Sequence, residues 1–73
     1  GNDMQSFYQQ LIAWFMPYAK QGALRPLPIE LLSSLITGPC HDYARHWLGG
    51  RYKISLSEQR EELANAAWNA VRA

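Results

Sequence analysis

Cysteine, charged residues and long apolar runs are all scarce in this sequence, and each scarcity excludes a class of protein. Cys40 is the only cysteine, so the chain can form neither an internal disulfide nor a multi-cysteine metal site, a usage that fits the cytosol. No apolar run approaches the roughly 18 residues of a membrane-spanning helix, and the N-terminus shows no basic start and apolar stretch of a signal peptide. We therefore expect a cytoplasmic protein without membrane contact.

Charged residues make up only 18% of the chain, against about 25% in an average soluble domain. The seven basic residues are scattered, apart from Arg51 and Lys53, and the formal net charge is +1. Nucleic-acid-binding surfaces need clustered lysine and arginine side chains. The chain itself is therefore not predicted to bind DNA or RNA.

Apolar residues are, by contrast, abundant. They make up 48% of a chain of 73 residues, which includes three tryptophans. A core of this size supplies at most about 3 to 5 kcal/mol of stability by itself, and so small a domain cannot hide this much apolar surface. We expect the surplus to be buried against a second copy, another protein or a domain outside this sequence.

The first predicted helix runs from about Asp3 to Gln21, because apolar and aromatic residues recur there at helical spacing. Pro17 lacks the N–H that a helix interior uses, so a kink is expected at this position. Gly22 is predicted as the C-cap of this helix. Residues Ala23 to Pro28, which include two prolines, are expected to form an extended linker.

The second predicted helix runs from Pro28 to about Leu48, where Gly49-Gly50 should end it. Its apolar residues occupy an arc of roughly 200° at 100° per residue, which is wider than the stripe of a helix buried on one side. Gly38-Pro39 in the middle should kink the helix. A helix with so wide an apolar arc needs packing partners on two sides.

After a loop from Arg51 to Leu56, a third helix is predicted from about Ser57 to Val71. Ser55 and Glu58 match the capping-box pattern, with Ser57 as the alternative N-cap. Alanines and large apolar residues share one face of this helix, while glutamates and asparagines lie opposite. The three segments together predict an all-α chain.

Cys40, His41 and Asp42 are catalytic residue types, but consecutive helical residues diverge by about 100° and cannot form a nucleophile–base chain. Asp42 and His46 are one helical turn apart, a spacing that favours a surface ion pair over a metal site that would lack further ligands. Arg45 is expected to be solvated or to pair with Asp42. The sequence therefore predicts no enzyme, no metal site and no cofactor.

Several segments follow one another in an order that is similar to that of a known family. The segments are an aromatic-rich helix, Gly22-Ala23-Leu24-Arg25-Pro26, Ile29-Glu30-Leu31-Leu32, Gly38-Pro39, Tyr43-Ala44-Arg45-His46-Trp47-Leu48-Gly49 and a closing helix with Trp68. This order resembles the C-terminal part of the tetracycline-repressor (TetR) family of transcription regulators. In many members a Gly-x-Leu or Gly-x-Ile turn and a proline-containing linker precede the penultimate helix, which carries an aromatic residue or Trp-Leu near its end.

The resemblance implies a single partial domain, residues 1–73, from the ligand-binding and dimerisation region, with the DNA-binding helix-turn-helix domain absent. The last two helices would pair with the same helices of a second subunit in a four-helix bundle, which agrees with the wide apolar arc. The residues predicted at this dimer interface are Leu32, Leu35, Ile36, Pro39, Tyr43, Trp47, Leu63, Ala67, Trp68 and Val71. For Trp47 and Trp68 the core of one subunit is the alternative.

In proteins of this family the first helix would line or close a ligand cavity. Flat apolar walls with a few hydroxyl groups suit a small hydrophobic or aromatic effector. The candidate ligand-binding residues are Phe7, Tyr8, Leu11 and Phe15, and ordinary core packing is the alternative for them.

The resemblance thus predicts the homodimeric, effector-sensing part of a TetR-family regulator, which would reach DNA only through the absent N-terminal domain. The alternative is a small helical adaptor whose apolar groove accepts an amphipathic helix of a partner protein. The two hypotheses differ in self-association, because only the dimerisation module should pair with its own copy.

Overall fold

The computed structural model describes residues 2–73, and three α-helices account for most of them. The helices are α1 (Asn2–Lys20), α2 (Ile29–Leu48) and α3 (Arg60–Val71), and no strand occurs among the described residues. The predicted all-α class with three helices is therefore confirmed.

Helix α1 continues through Pro17 and ends in a turn that a glycine makes possible. Gly22 has a φ of 72°, a left-handed conformation that glycine adopts without steric cost. The N–H of Gly22 donates to the carbonyl of Ala19 (3.2 Å), and the N–H of Ala23 donates to the carbonyl of Tyr18 (2.9 Å). These two bonds form a Schellman motif, so the predicted C-cap at Gly22 is confirmed.

Helix α2 begins directly after Pro28, whose carbonyl accepts the N–H groups of Leu31 and Leu32, each at 3.0 Å. The helix is continuous across Pro39. At its end Gly50 has a φ of 80°, and its N–H donates to the carbonyl of Trp47 at 3.0 Å. The predicted end of this helix at the glycine pair is confirmed.

Helix α3 begins at Arg60, three residues later than predicted. Ser55 Oγ does accept the N–H of Glu58 at 3.2 Å, so the serine half of the predicted capping box forms. The backbone that follows still makes tight turns, because the N–H of Arg60 donates to the carbonyl of Ser57 at 3.4 Å. A bond over three residues rather than four delays the first α-helical turn.

The end of α3 is fastened to the linker between α1 and α2. The N–H of Arg25 donates to the carbonyl of Val71 at 2.7 Å, and the N–H of Ala73 donates to the carbonyl of Ala23 at 2.9 Å. The Arg25 guanidinium also donates to the carbonyl of Ala70 at 2.9 Å, where a cation is favoured by the partial negative charge of a helix C-terminus. We call these three bonds the terminal clamp. They hold α3 antiparallel to α2.

The core is built from all three helices and from the loop before α3. In α2 the buried positions are four residues apart, which places them on one side of the helix. The buried apolar side chains are Leu11, Phe15, Leu32, Ile36, Cys40, Ala44, Leu56, Ala67 and Val71. None of the helices among the described residues has both the length and the apolarity that crossing a bilayer requires.

Candidate functional site

Helix α1 covers one side of the α2–α3 pair. On α2, His41 Nδ1 lies 3.0 Å from the hydroxyl of Tyr8. On α3, the ring of Trp68 packs against the rings of Trp14 and Tyr18, with centroids 6.2 and 5.1 Å apart. These contacts define which sides of α2 and α3 face α1.

The opposite side of the α2–α3 pair is uncovered, and we call it the rear face. Positions two apart on a helix differ by about 200°, so Ala66 and Ala70 lie nearly opposite Trp68. On α2, Leu35 and Pro39 lie about 120° and 160° around the helix from His41, which contacts Tyr8. The apolar and small residues of the rear face are Leu31, Leu35, Pro39, Leu63, Ala66 and Ala70.

The rear face is apolar and contains small residues. Leu31 is 44% exposed, Pro39 and Ala66 are also exposed, and Leu35 is half-buried. The side chains of Ala66 and Ala70 are single methyl groups. Since the distance between packed helices depends on the side chains at their contact, these small residues would allow another helix to approach closely.

A cluster of three polar side chains borders the rear face near the C-terminal end of α2. Arg45 donates to the carboxylate of Asp42 at 3.0 Å, and His46 Nε2 lies 3.6 Å from the same oxygen. The predicted contacts of Asp42 with both residues are confirmed. The ring of His46 also stacks on Tyr52, with centroids 4.7 Å apart, so the loop after α2 folds back on this end of the helix.

The residues predicted at the dimer interface fall into three groups. Leu35, Pro39 and Leu63 lie on the rear face. Four others are buried inside the single chain and present no surface to a second copy in this fold: Leu32, Ile36, Ala67 and Val71. Part of the wide apolar arc of α2 therefore packs inside the same chain.

The third group consists of aromatic residues with partners in the same chain. The Tyr43 hydroxyl donates to the carbonyl of Ile54 at 2.7 Å. Trp68 packs on α1, and Trp47 packs against the core on the side of α1. Both tryptophans thus pack within a single subunit, which was the alternative to a place at the dimer interface.

A groove runs between α1 and α3 and reaches the end of α2. Its apolar compartment, of about 280 Å³, is lined by Phe7, Gln10, Leu11, Trp14, Arg60, Glu61 and Ala64. Its polar compartment, of about 350 Å³, is lined by Ser6, Phe7, Gln10, Trp47, Leu56, Ser57 and Arg60. Three side chains, Phe7, Gln10 and Arg60, line both compartments, so the two lie side by side.

The four predicted ligand-binding residues do not share one site. Phe7 and Leu11 line the groove. Tyr8 lines a separate shallow depression beside Ile12, and Phe15 is only 2% exposed in the core. Their role in ligand binding stays a prediction.

The predicted ligand-binding residues do not include the groove residues from the loop before α3 and from α3 itself, among them Ser57 and Arg60. Trp14 also lines the groove, on the same side of α1 as Phe7 and Leu11, because the three residues are spaced four and three apart. No sequence signal pointed to Ser57 and Arg60, since they reach the groove only through the path of the loop before α3.

Cys40 is buried, and desolvation raises the pKa of its thiol to about 11. The thiol is therefore protonated at neutral pH and lacks the thiolate that nucleophilic cysteines use. Among the described residues no group of three or more His, Cys, Asp or Glu side chains is arranged to hold a metal ion.

A scan against protein-family models gave no match to this chain, and a search among curated proteins gave none either.

Proposed function

We propose that this chain is the dimerisation and effector-sensing part of a transcription regulator that resembles the TetR family, and that two copies associate through the rear face. The observation that carries the proposal is the rear face itself. It joins apolar and small residues of α2 and α3 on the side that α1 leaves uncovered.

Two rear faces that meet around a two-fold axis would place two α2 helices and two α3 helices together. Such an interface uses the same patch on both subunits, and the result is a four-helix bundle. It would cover Leu31 and the half-buried Leu35, and Ala66 and Ala70 would permit close approach of the backbones. This arrangement removes from water part of the apolar surface that a chain of this size leaves exposed.

In the complete regulator the dimer would hold two DNA-binding domains at the spacing of an operator. The groove lies on the other side of the α2–α3 pair, so dimerisation would leave it open. A ligand bound there would change the placement of the DNA-binding domains if it prefers one of their two arrangements.

The test is the solution mass of the chain by sedimentation equilibrium, for the wild type and for Ala66→Glu. The matched control is Asn65→Glu, which adds the same charge to an exposed position of the same helix, about 100° away from the rear face. We expect a dimer for the wild type and for Asn65→Glu. Ala66→Glu should be a folded monomer, because two buried carboxylates would face each other without partners.

A wild-type chain that is monomeric at every concentration would contradict the proposal, as would equal masses for the two variants. Far-UV circular dichroism should show the same helix content for all three chains. Ala66 suits this test better than Trp68, because a change at Trp68 would also disturb its packing on α1.

The second candidate is the adaptor that binds an amphipathic helix of a partner. The observation that favours it is Trp14, which lies beside the groove and is 48% exposed, since exposed aromatic side chains at grooves anchor partner helices. A stable wild-type monomer would favour this candidate over the dimerisation module.

A further inference from the structure

The two compartments of the groove differ in chemistry. In the polar compartment Ser6, Gln10, Ser57 and Arg60 each contribute a side chain that can donate a hydrogen bond, and no carboxylate lines it. In the apolar compartment, by contrast, the walls are mainly hydrocarbon and aromatic rings. A ligand that fills both compartments must therefore have a polar end that accepts hydrogen bonds and an apolar body.

Arg60 supplies a positive charge where the two compartments meet. Its guanidinium makes no ion pair within the described residues, whereas Arg45 pairs with Asp42 and Arg25 is bound to a carbonyl. A free guanidinium presents a planar set of donors that matches a carboxylate.

None of the three glutamates near Arg60 in sequence lines the polar compartment. Glu61 lines the apolar compartment together with Arg60, but it makes no ion pair with Arg60 and does not line the polar compartment. Glu62 is two residues beyond Arg60, so it lies about 200° away around α3. Glu58 is exposed in the turn before α3 and lines neither compartment.

The apolar compartment suits a flat body. Phe7, Leu11 and Trp14 lie on α1 at helical spacing, and Ala64 faces them from α3 without a long side chain. Its volume of about 280 Å³ is at the lower end of small-molecule sites. One or two fused rings are thus the size of body that fits.

We propose that the groove binds a small aromatic carboxylate, with the carboxylate at Arg60 in the polar compartment and the rings between Phe7, Leu11 and Trp14. This inference rests on the effector-sensing part of the proposed function, and it specifies the chemical class of the ligand.

The experiment titrates the ¹⁵N-labelled wild-type chain with 2-naphthoate and with 2-naphthamide, followed by nuclear magnetic resonance. The two probes have nearly the same shape, and only the first carries a negative charge. We expect the indole N–H signals of Trp14 and Trp47 to shift, and 2-naphthoate to bind about tenfold more tightly, as a charge-assisted hydrogen bond would produce.

Arg60→Gln should remove the preference for 2-naphthoate and leave the binding of 2-naphthamide unchanged. The matched control is Arg72→Gln, which removes the same charge from an exposed residue outside the groove. Because Arg60 is exposed and makes no ion pair in the fold, Arg60→Gln should keep the helix content of the wild type.

Equal affinity for the two probes would overturn the inference about charge, while the groove would still bind ligands as the proposed function requires. An equal loss of preference in Arg72→Gln would also overturn it, because the effect would then come from net charge alone. Binding of neither probe would overturn the inference and remove the groove as the effector site, and the sedimentation test of the rear face would decide dimerisation independently.

Discussion

Replacing Trp68 with alanine should bring the chain close to unfolding. The Trp68 ring contacts three aromatic rings of α1, those of Trp14, Phe15 and Tyr18, with centroid distances of 6.2, 6.1 and 5.1 Å. Truncation of a fully buried tryptophan costs about 3 to 5 kcal/mol. Since Trp68 is half-buried, we expect a loss of roughly 2 to 3 kcal/mol. A core of this size supplies at most about 3 to 5 kcal/mol in total, so the variant would lose roughly two-fifths of its stability or more.

The assay is urea denaturation followed by far-UV circular dichroism, at one fixed protein concentration because association shifts the apparent stability. Asn69→Ala is the matched control, since Asn69 is the next residue along α3 and is exposed. It should remain within about 0.5 kcal/mol of the wild type. A free energy of unfolding for Trp68→Ala within the same margin would refute the reasoning, because α1 would then not depend on Trp68 to pack against α3.

Two further predictions concern pH and backbone conformation. Burial raises the pKa of the Cys40 thiol to about 11, above its value of about 8.5 in an unfolded chain. Between about pH 8.5 and pH 11 the folded state therefore binds more protons than the unfolded chain, so the free energy of unfolding should fall as the pH rises through this range. Urea denaturation at about pH 8 and about pH 10 measures this fall, and Cys40→Ala should make the fall smaller. An equal fall in the wild type and in Cys40→Ala would show that the thiol does not contribute. Gly50→Ala should lower the free energy of unfolding by about 1 to 2 kcal/mol, because residue 50 has a φ of 80°. Gly38→Ala lies at an exposed helical position and should instead raise the free energy of unfolding of the monomer by up to about 1 kcal/mol. Thermal denaturation measures both effects. The same sign for both glycine variants would contradict this assignment.

The helix ends show what local sequence determines. Gly22 and Gly50 end α1 and α2 because each adopts a left-handed conformation that other residues rarely adopt. The positions of the two glycines in the sequence therefore predict these helix ends. The start of α3 was predicted too early, because Ser55 makes its capping bond while the next residues still form tight turns. A capping pattern fixes the first hydrogen bond but not the number of turns before the α-helix begins.

The candidate sites could be predicted only in part, because apolar spacing does not say which partner covers a surface. The arc of α2 includes Ile36, which packs inside the chain, and Leu35, which lies on the rear face. Both belong to the same hydrophobic pattern, and only the position of α1 separates them. Arg60 was missed for a related reason, since its place in the groove depends on how α3 crosses α1.

The terminal clamp has a consequence for how the chain melts. The last residues of a domain usually fray, because little holds them, yet here Arg25 and Ala70, 45 positions apart, are joined by a hydrogen bond. The linker cannot become disordered without releasing the last turn of α3, and that turn cannot unwind without freeing the linker. The chain from Ala23 to Ala73 is thus closed into a single cooperative unit, in which α2 and α3 open together rather than from the C-terminus inward.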